Sequence, residues 1–88
     1  MRIRWTPAAA DDLTEISEHL TILFPHYRQP TMRKLYDTVQ SLKHPPHRVR
    51  PSRETGTREV LFRPFPYVAA YRVRGEQIET LRIKQDRS

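Results

Sequence analysis

Apolar side chains recur at helical spacing in the first half of the chain and at strand spacing in the second. Leu13, Ile16, Leu20 and Leu23 follow at intervals of three, four and three, which puts them on one stripe of an α-helix. Thr6-Pro7 supplies the start signal, a hydroxyl at the N-cap and a proline at the first helical position, where a missing N–H costs nothing. The helix is expected from Pro7 to about Phe24, with Pro25 just beyond its end. Asp11 and Asp12 fall near its N-terminus, where carboxylates are favoured by the helix dipole. Met32, Leu35, Val39 and Leu42 repeat the same spacing. Gln29-Pro30 opens this second helix, and it stops at His44, because Pro45-Pro46 cannot continue a helix. Two amphipathic helices joined by about five residues predict an antiparallel hairpin.

Strand patterns frame the helices. Met1 to Trp5 alternates, with Ile3 on one face and Arg2 and Arg4 on the other. Residues 44–56 hold three prolines, His44, His47, Arg48, Arg50 and Arg53, and read as a basic loop. Arg58–Arg63 reads as a strand, Pro64-Phe65-Pro66 as a turn or bulge, and Tyr67–Val73 as a strand rich in aromatic and β-branched residues. Arg74-Gly75 suits a tight hairpin turn into a closing strand over Gln77–Lys84. There Leu81 and Ile83 point one way and Arg82 and Lys84 the other. The predicted fold is α+β, in the order β-α-α-β-β-β. A helical hairpin packs on one face of a small, mainly antiparallel sheet, and residues 1–88 form one domain.

Composition narrows the function. An 88-residue chain buries only about 60–65% of its unfolded surface, so its stability is expected to be modest. The chain has no cysteine, so disulfides and zinc–thiolate sites are excluded. His44 and His47 straddle two prolines with no carboxylate beside them, and His19 lies among polar neighbours, so no metal or cofactor is expected. No apolar run reaches the ~20 residues of a membrane span and there is no signal-peptide stretch, so a cytoplasmic protein without a membrane partner is expected. The net charge of +6 lies wholly in the second half: residues 1–42 balance five basic against five acidic groups, whereas residues 43–88 hold eleven against five. Nine of those eleven are arginine, whose planar fork matches phosphate or carboxylate oxygens in pairs. This asymmetry points to nucleic acid or an acidic protein as partner.

Particular residues then carry a family resemblance. Trp5-Thr6-Pro7-Ala8-Ala9 leading into Asp12-Leu13 resembles the N-terminus of RelE/ParE toxins, the plasmid stabilisation proteins. Leu42 followed by Pro45 and the arginine-containing loop resembles the family's link from helix to sheet. Gly56-Thr57-Arg58-Glu59-Val60, the run from Pro66 to Val73 and the run from Ile78 to Ile83 resemble its strand motifs, collinear over nearly the whole chain. The resemblance implies a toxin of a type II toxin–antitoxin module, neutralised by a cognate antitoxin segment laid over it, in a complex that can be of higher order. It implies one of two targets. RelE-like members cut messenger RNA on the ribosome without a metal, and ParE-like members inhibit DNA gyrase.

Metal-free RNA cleavage needs a base for the 2′-hydroxyl, a cation for the crowded phosphate and an acid for the leaving oxygen. Glu59, the carboxylate within a basic strand, is the candidate base, and Arg82 and Lys84 complete a candidate catalytic set if the protein is a nuclease. Arg48, Arg50, Arg53, Arg58, Arg72, Arg82 and Lys84 are the candidate target- or phosphate-binding groups. Antitoxin contacts are not assigned from sequence. Two departures weigh against cleavage. Val68 stands where nuclease members usually carry an arginine, and the chain ends Lys84-Gln85-Asp86-Arg87-Ser88 without their terminal tyrosine or histidine. Gyrase inhibition is therefore preferred, with ribosome-dependent mRNA cleavage as the alternative. A non-toxic nucleic-acid-binding module and a degenerate toxin are the other readings. Glu59 in a plain exposed ion pair, and Tyr67 and Tyr71 as packing residues, are the bland readings of those positions.

Overall fold

The computed structural model describes residues 2–43, 49–51 and 56–86, with the backbone alone for 49–51. Its elements are β1 (Arg2–Trp5), α1 (Pro7–Leu23), α2 (Pro25–Ser41), β2 (Val49–Pro51), β3 (Arg58–Leu61), β4 (Tyr67–Arg74) and β5 (Gln77–Gln85). This is the expected α+β arrangement of a helical hairpin on a mainly antiparallel sheet, with one strand more than the sequence pattern indicated. The sheet order is β1-β5-β4-β3-β2. β1 runs parallel to β5, and the remaining pairs are antiparallel.

The start of α1 follows the sequence signal and adds a tertiary tie. Thr6 Oγ1 accepts the Ala9 N–H at 3.2 Å, and Pro7 occupies the first helical position. The same hydroxyl lies 2.8 Å from the Thr80 carbonyl, to which it donates. One side chain thus caps the helix and fastens it to β5.

The hairpin joint is tighter than expected. Phe24 alone separates the helices; its φ of −142° and ψ of 63° break α1, and Pro25 starts α2 at once. The helix begins four residues before Gln29-Pro30, so Pro30 lies inside it. Proline at the first position of α2 needs no N–H partner, whereas Pro30 leaves the carbonyl one turn earlier without its usual donor. The exposed surface over residues 21–30 lets water take that place. The helix ends at Ser41; residues 44–48, including His44, lie outside the described set.

The expected basic loop contains β2, which pairs with β3 through Val49↔Val60, Arg50↔Glu59 and Pro51↔Arg58. β2 is the edge strand, the place where a proline costs no ladder bond. The core is built by Leu35, Val39 and Leu42 of the second helical segment against Val60, Phe62, Tyr67, Ala69, Tyr71, Ile78 and Ile83. Ile3, Trp5, Leu13 and Ile16 pack partly buried against it. Tyr67 and Tyr71 are therefore packing residues.

β5 departs from simple alternation. Ala70 pairs with Arg82 but Tyr71 pairs with Thr80, so Leu81 is an extra residue in a bulge. Thr80 and Ile83 are both buried on the helix side as a result, and Glu79 and Arg82 share the opposite side. Without the bulge, two residues three apart would face opposite ways.

Asp12 closes the free part of the β5 edge. β1 covers only Gln77–Thr80, so among the described residues the strand beyond has no neighbouring strand on that side. Asp12 Oδ2 accepts the Ile83 N–H at 2.9 Å and Arg82 Nε at 2.8 Å, and Oδ1 accepts Arg82 Nη2 at 3.1 Å. Asp12 is the sixth residue of α1, past the first turn, so the helix dipole does not account for it. Burial on its own would raise its pKa. The Arg82 and Ile83 hydrogen bonds, with the charges of Arg82 and Lys84, outweigh this and hold the carboxyl below its ordinary value of 3.8.

Two stability predictions follow from these contacts. Asp12→Ala leaves the Ile83 N–H and the Arg82 fork unpaired and lowers unfolding free energy by about 1–3 kcal/mol, discounted for the exposure of Arg82. Because the folded pKa is depressed, this contribution is present at neutral pH and lost as pH falls through the folded value. Urea unfolding of both proteins at pH 7 and below pH 3.8 should show the gap closing in acid. Pro30→Ala restores one helical hydrogen bond and should raise stability by about 1–2 kcal/mol, read as a higher thermal midpoint.

Candidate functional site

The sheet face turned away from the helices gathers most of the described candidate residues. Ala69 and Tyr71 of β4 point into the core, so Val68, Ala70, Arg72 and Arg74 face the other way. Strand register extends this face into rows. Arg50, Glu59, Ala70 and Arg82 lie side by side across β2, β3, β4 and β5, and Leu61, Val68 and Lys84 form the row beside them. Beyond the bulge, Arg4, Glu79 and Arg72 form a third row, and Arg2, Gln77 and Arg74 a fourth.

Glu59 and Arg82 flank Ala70 from strands two apart, a backbone separation of about 9.6 Å. The small Ala70 leaves a shallow trough between a carboxylate and a cationic edge. Arg82 is not idle there. Its fork is engaged by Asp12, although the side chain stays about half exposed at 51%. Lys84 is exposed on the same edge. Glu59 is half-buried and has a neighbour of its own.

The other candidates are scattered. Arg72 Nε donates to Glu79 Oε1 at 2.7 Å, and Arg4 Nη1 donates to Glu79 Oε2 at 2.5 Å. The Arg72 hydrogen bond, opposed by burial and reinforced by Arg4, holds the Glu79 carboxyl below its ordinary value of 4.5. Arg58 pairs in register with Tyr71 and stands on the helix side of the sheet, away from the trough. Burial pushes the Tyr71 phenol above its ordinary 10.0 while the Arg58 guanidinium pulls it down. Arg48 and Arg53 lie outside the described residues, and only the backbone of Arg50 is described.

A second surface is apolar. Leu20, Phe24, Tyr27, Phe65 and Tyr67 line a groove of about 460 Å³ between the helical hairpin and the turn after β3. Beside it, Ile22, Leu23 and Tyr27 are more than half exposed. Among the described residues no cluster of histidine, cysteine and carboxylate side chains is arranged to hold a metal ion. Nor is any helix among them long and apolar enough to cross a membrane.

Sequence reasoning missed Asp12, Arg4 and Glu79 as organisers of this face. A signal for Asp12 was available: it lies between Ala9 and Ile16 on the apolar stripe, where a carboxylate requires a partner. The row of Arg4, Glu79 and Arg72 needs the bulge and the parallel β1–β5 pairing, which no local pattern reports.

Comparison with known proteins bears on this geometry. No curated protein matches the chain. A solved structure described as the chromosomal ParDE TA system from P. aeruginosa is 31% identical, with a TM-score of 0.87 over 97% of this chain and 95% of that one. YafQ from E. coli strain BL21(DE3) shares the fold at 14% identity and a TM-score of 0.70, covering 97% of this chain and 93% of that one. A copper-bound mutant toxin from Helicobacter pylori shares it at 13% identity and a TM-score of 0.65, with the same coverage. The family described as "ParE toxin of type II toxin-antitoxin system, parDE" matches residues 3–88. The chain thus belongs to the ParE toxin family, as the toxin component of a type II toxin–antitoxin module.

Proposed function

We propose that this toxin acts in the cytoplasm as a non-nucleolytic inhibitor of DNA gyrase. The observation that carries the reading is the engagement of Arg82. The arginine best placed to bind a scissile phosphate beside Glu59 gives two donors to Asp12, a carboxylate the fold itself needs. Two of its five N–H donors and much of its charge are thereby committed to Asp12, which makes it a weaker cation for a crowded phosphate than an unpaired arginine. Val68, in the row next to Glu59 and Ala70, adds no cation to the trough. A face of this kind suits binding better than general acid–base chemistry, which needs a base, an acid and a free cation together.

Neutralisation by the antitoxin fits the second surface. The groove between the helical hairpin and the turn after β3 offers apolar anchors to an amphipathic segment of such a partner.

The test compares both targets with one preparation. Purified toxin should inhibit gyrase supercoiling and leave a ribosome-engaged message intact in primer extension, and added antitoxin should reverse the inhibition. New stops confined to translated message, lost in Glu59→Gln and Lys84→Gln, would replace this reading with ribosome-dependent mRNA cleavage.

A further inference from the structure

The two rows beyond the bulge hold four arginines in a rectangle. Arg2 and Arg4 lie on β1, Arg72 and Arg74 on β4, and Gln77 and Glu79 of β5 run between them. Two residues along a strand span about 6.8 Å and two strand spacings about 9.6 Å. The four cations are thus set out on a rigid grid by backbone register rather than by flexible loops.

Glu79 preorganises half of that grid. It is 3% exposed and accepts one hydrogen bond each from Arg4 and Arg72, whose side chains remain 53% and 43% exposed. A guanidinium carries five N–H donors, so each arginine is held from below while most of its donors are open to a ligand above. Even with Glu76 of the adjoining turn counted against it, the patch is net positive.

We propose that this patch, distinct from the Glu59–Arg82 trough, is a binding site for the phosphodiester backbone of a nucleic acid. Arginines about 6.8 Å apart along each strand approximate the distance between neighbouring phosphates of a nucleotide chain. Backbone binding needs only spaced positive charge and is indifferent to base sequence. An acidic protein is the weaker match, because a specific protein interface needs a central apolar or aromatic anchor. Between these arginines stand only Gln77 and Glu79. No aromatic ring among the described residues lies on the patch for base stacking, so the site takes duplex or single strand through phosphates alone.

Fluorescence anisotropy with a labelled DNA duplex and a labelled single-stranded RNA, titrated across salt concentrations, tests the site without reference to gyrase or messenger RNA. Four phosphate contacts predict a log–log salt slope of about −3.6 for duplex and about −2.8 for single strand. The duplex and RNA arms show which nucleic acid is preferred. Arg2→Gln with Arg74→Gln removes two contacts and should roughly halve either slope. Both side chains are exposed and in no described ion pair, so circular dichroism should be unchanged. Arg74→Gln alone, expected to reduce the slope by about a quarter, keeps the comparison should the double variant fail to fold. Absence of binding to both nucleic acids, or an unchanged slope in the variants, would overturn the proposal. Tighter binding of polyglutamate than of duplex would assign the patch to an acidic polypeptide instead.

Discussion

The carboxylate of Asp12 is the constraint on which the rest of the structure depends. Buried beside an unpaired strand edge, it would be costly without donors, and the fold brings it three. The Ile83 N–H would otherwise face an edge that β1 does not reach, so one side chain satisfies the helix, the strand and the edge together. The Leu81 bulge beside it lets Thr80 and Ile83 both lie on the buried side of the strand, with Arg82 turned outward where its fork meets Asp12.

A second buried carboxylate repeats the logic on the other side of the bulge. Glu79 binds Arg4 from β1 and Arg72 from β4, linking three strands across the sheet. In both places an arginine is tied to a buried acid yet stays about half exposed. A lysine would give its point charge to the acid and keep no planar edge for anything else. The preference for arginine thus has a structural cause as well as a functional one. Part of the positive charge that points to an anionic partner also holds the sheet together, and a charge count cannot separate the two uses.

The legible parts of the fold were those that repeat locally. The stripes of Leu13, Ile16 and Leu20 and of Leu35 and Val39 lie on helices, and Thr6-Pro7 caps the first as its chemistry requires. Tyr67–Arg74 and Gln77–Gln85 are strands joined at Gly75, whose φ of 61° is the left-handed conformation glycine adopts readily. What was not legible depended on tertiary context. Pro30 looked like a helix start because a proline is usually excluded from a helix interior, yet an exposed stretch accommodates it. Val49–Pro51 looked like loop because only its pairing with β3 makes it a strand. Among site residues, Arg82 and Lys84 were found on one strand face as expected. The pairing of Arg82 with Asp12, seventy positions away, leaves no trace at either position alone.

The exposed hairpin tip connects stability to partner binding. Ile22, Leu23, Phe24 and Tyr27 all keep more than half of their surface in water, adjoining an apolar groove, in a chain of only 88 residues. Fully burying a large apolar side chain contributes about 1.5–3 kcal/mol, and each of these, at half to three-quarters exposed, forgoes roughly half or more of that. In a domain whose total stability is of order 5–15 kcal/mol, that is a large fraction. A partner covering the tip and groove would recover it, adding stability by mass action because it binds only the folded chain. Under the proposed function, the surface that weakens the free toxin is the surface by which the antitoxin holds it. Inhibition and stabilisation are then the same contact, and loss of the antitoxin releases a protein both active and less stable.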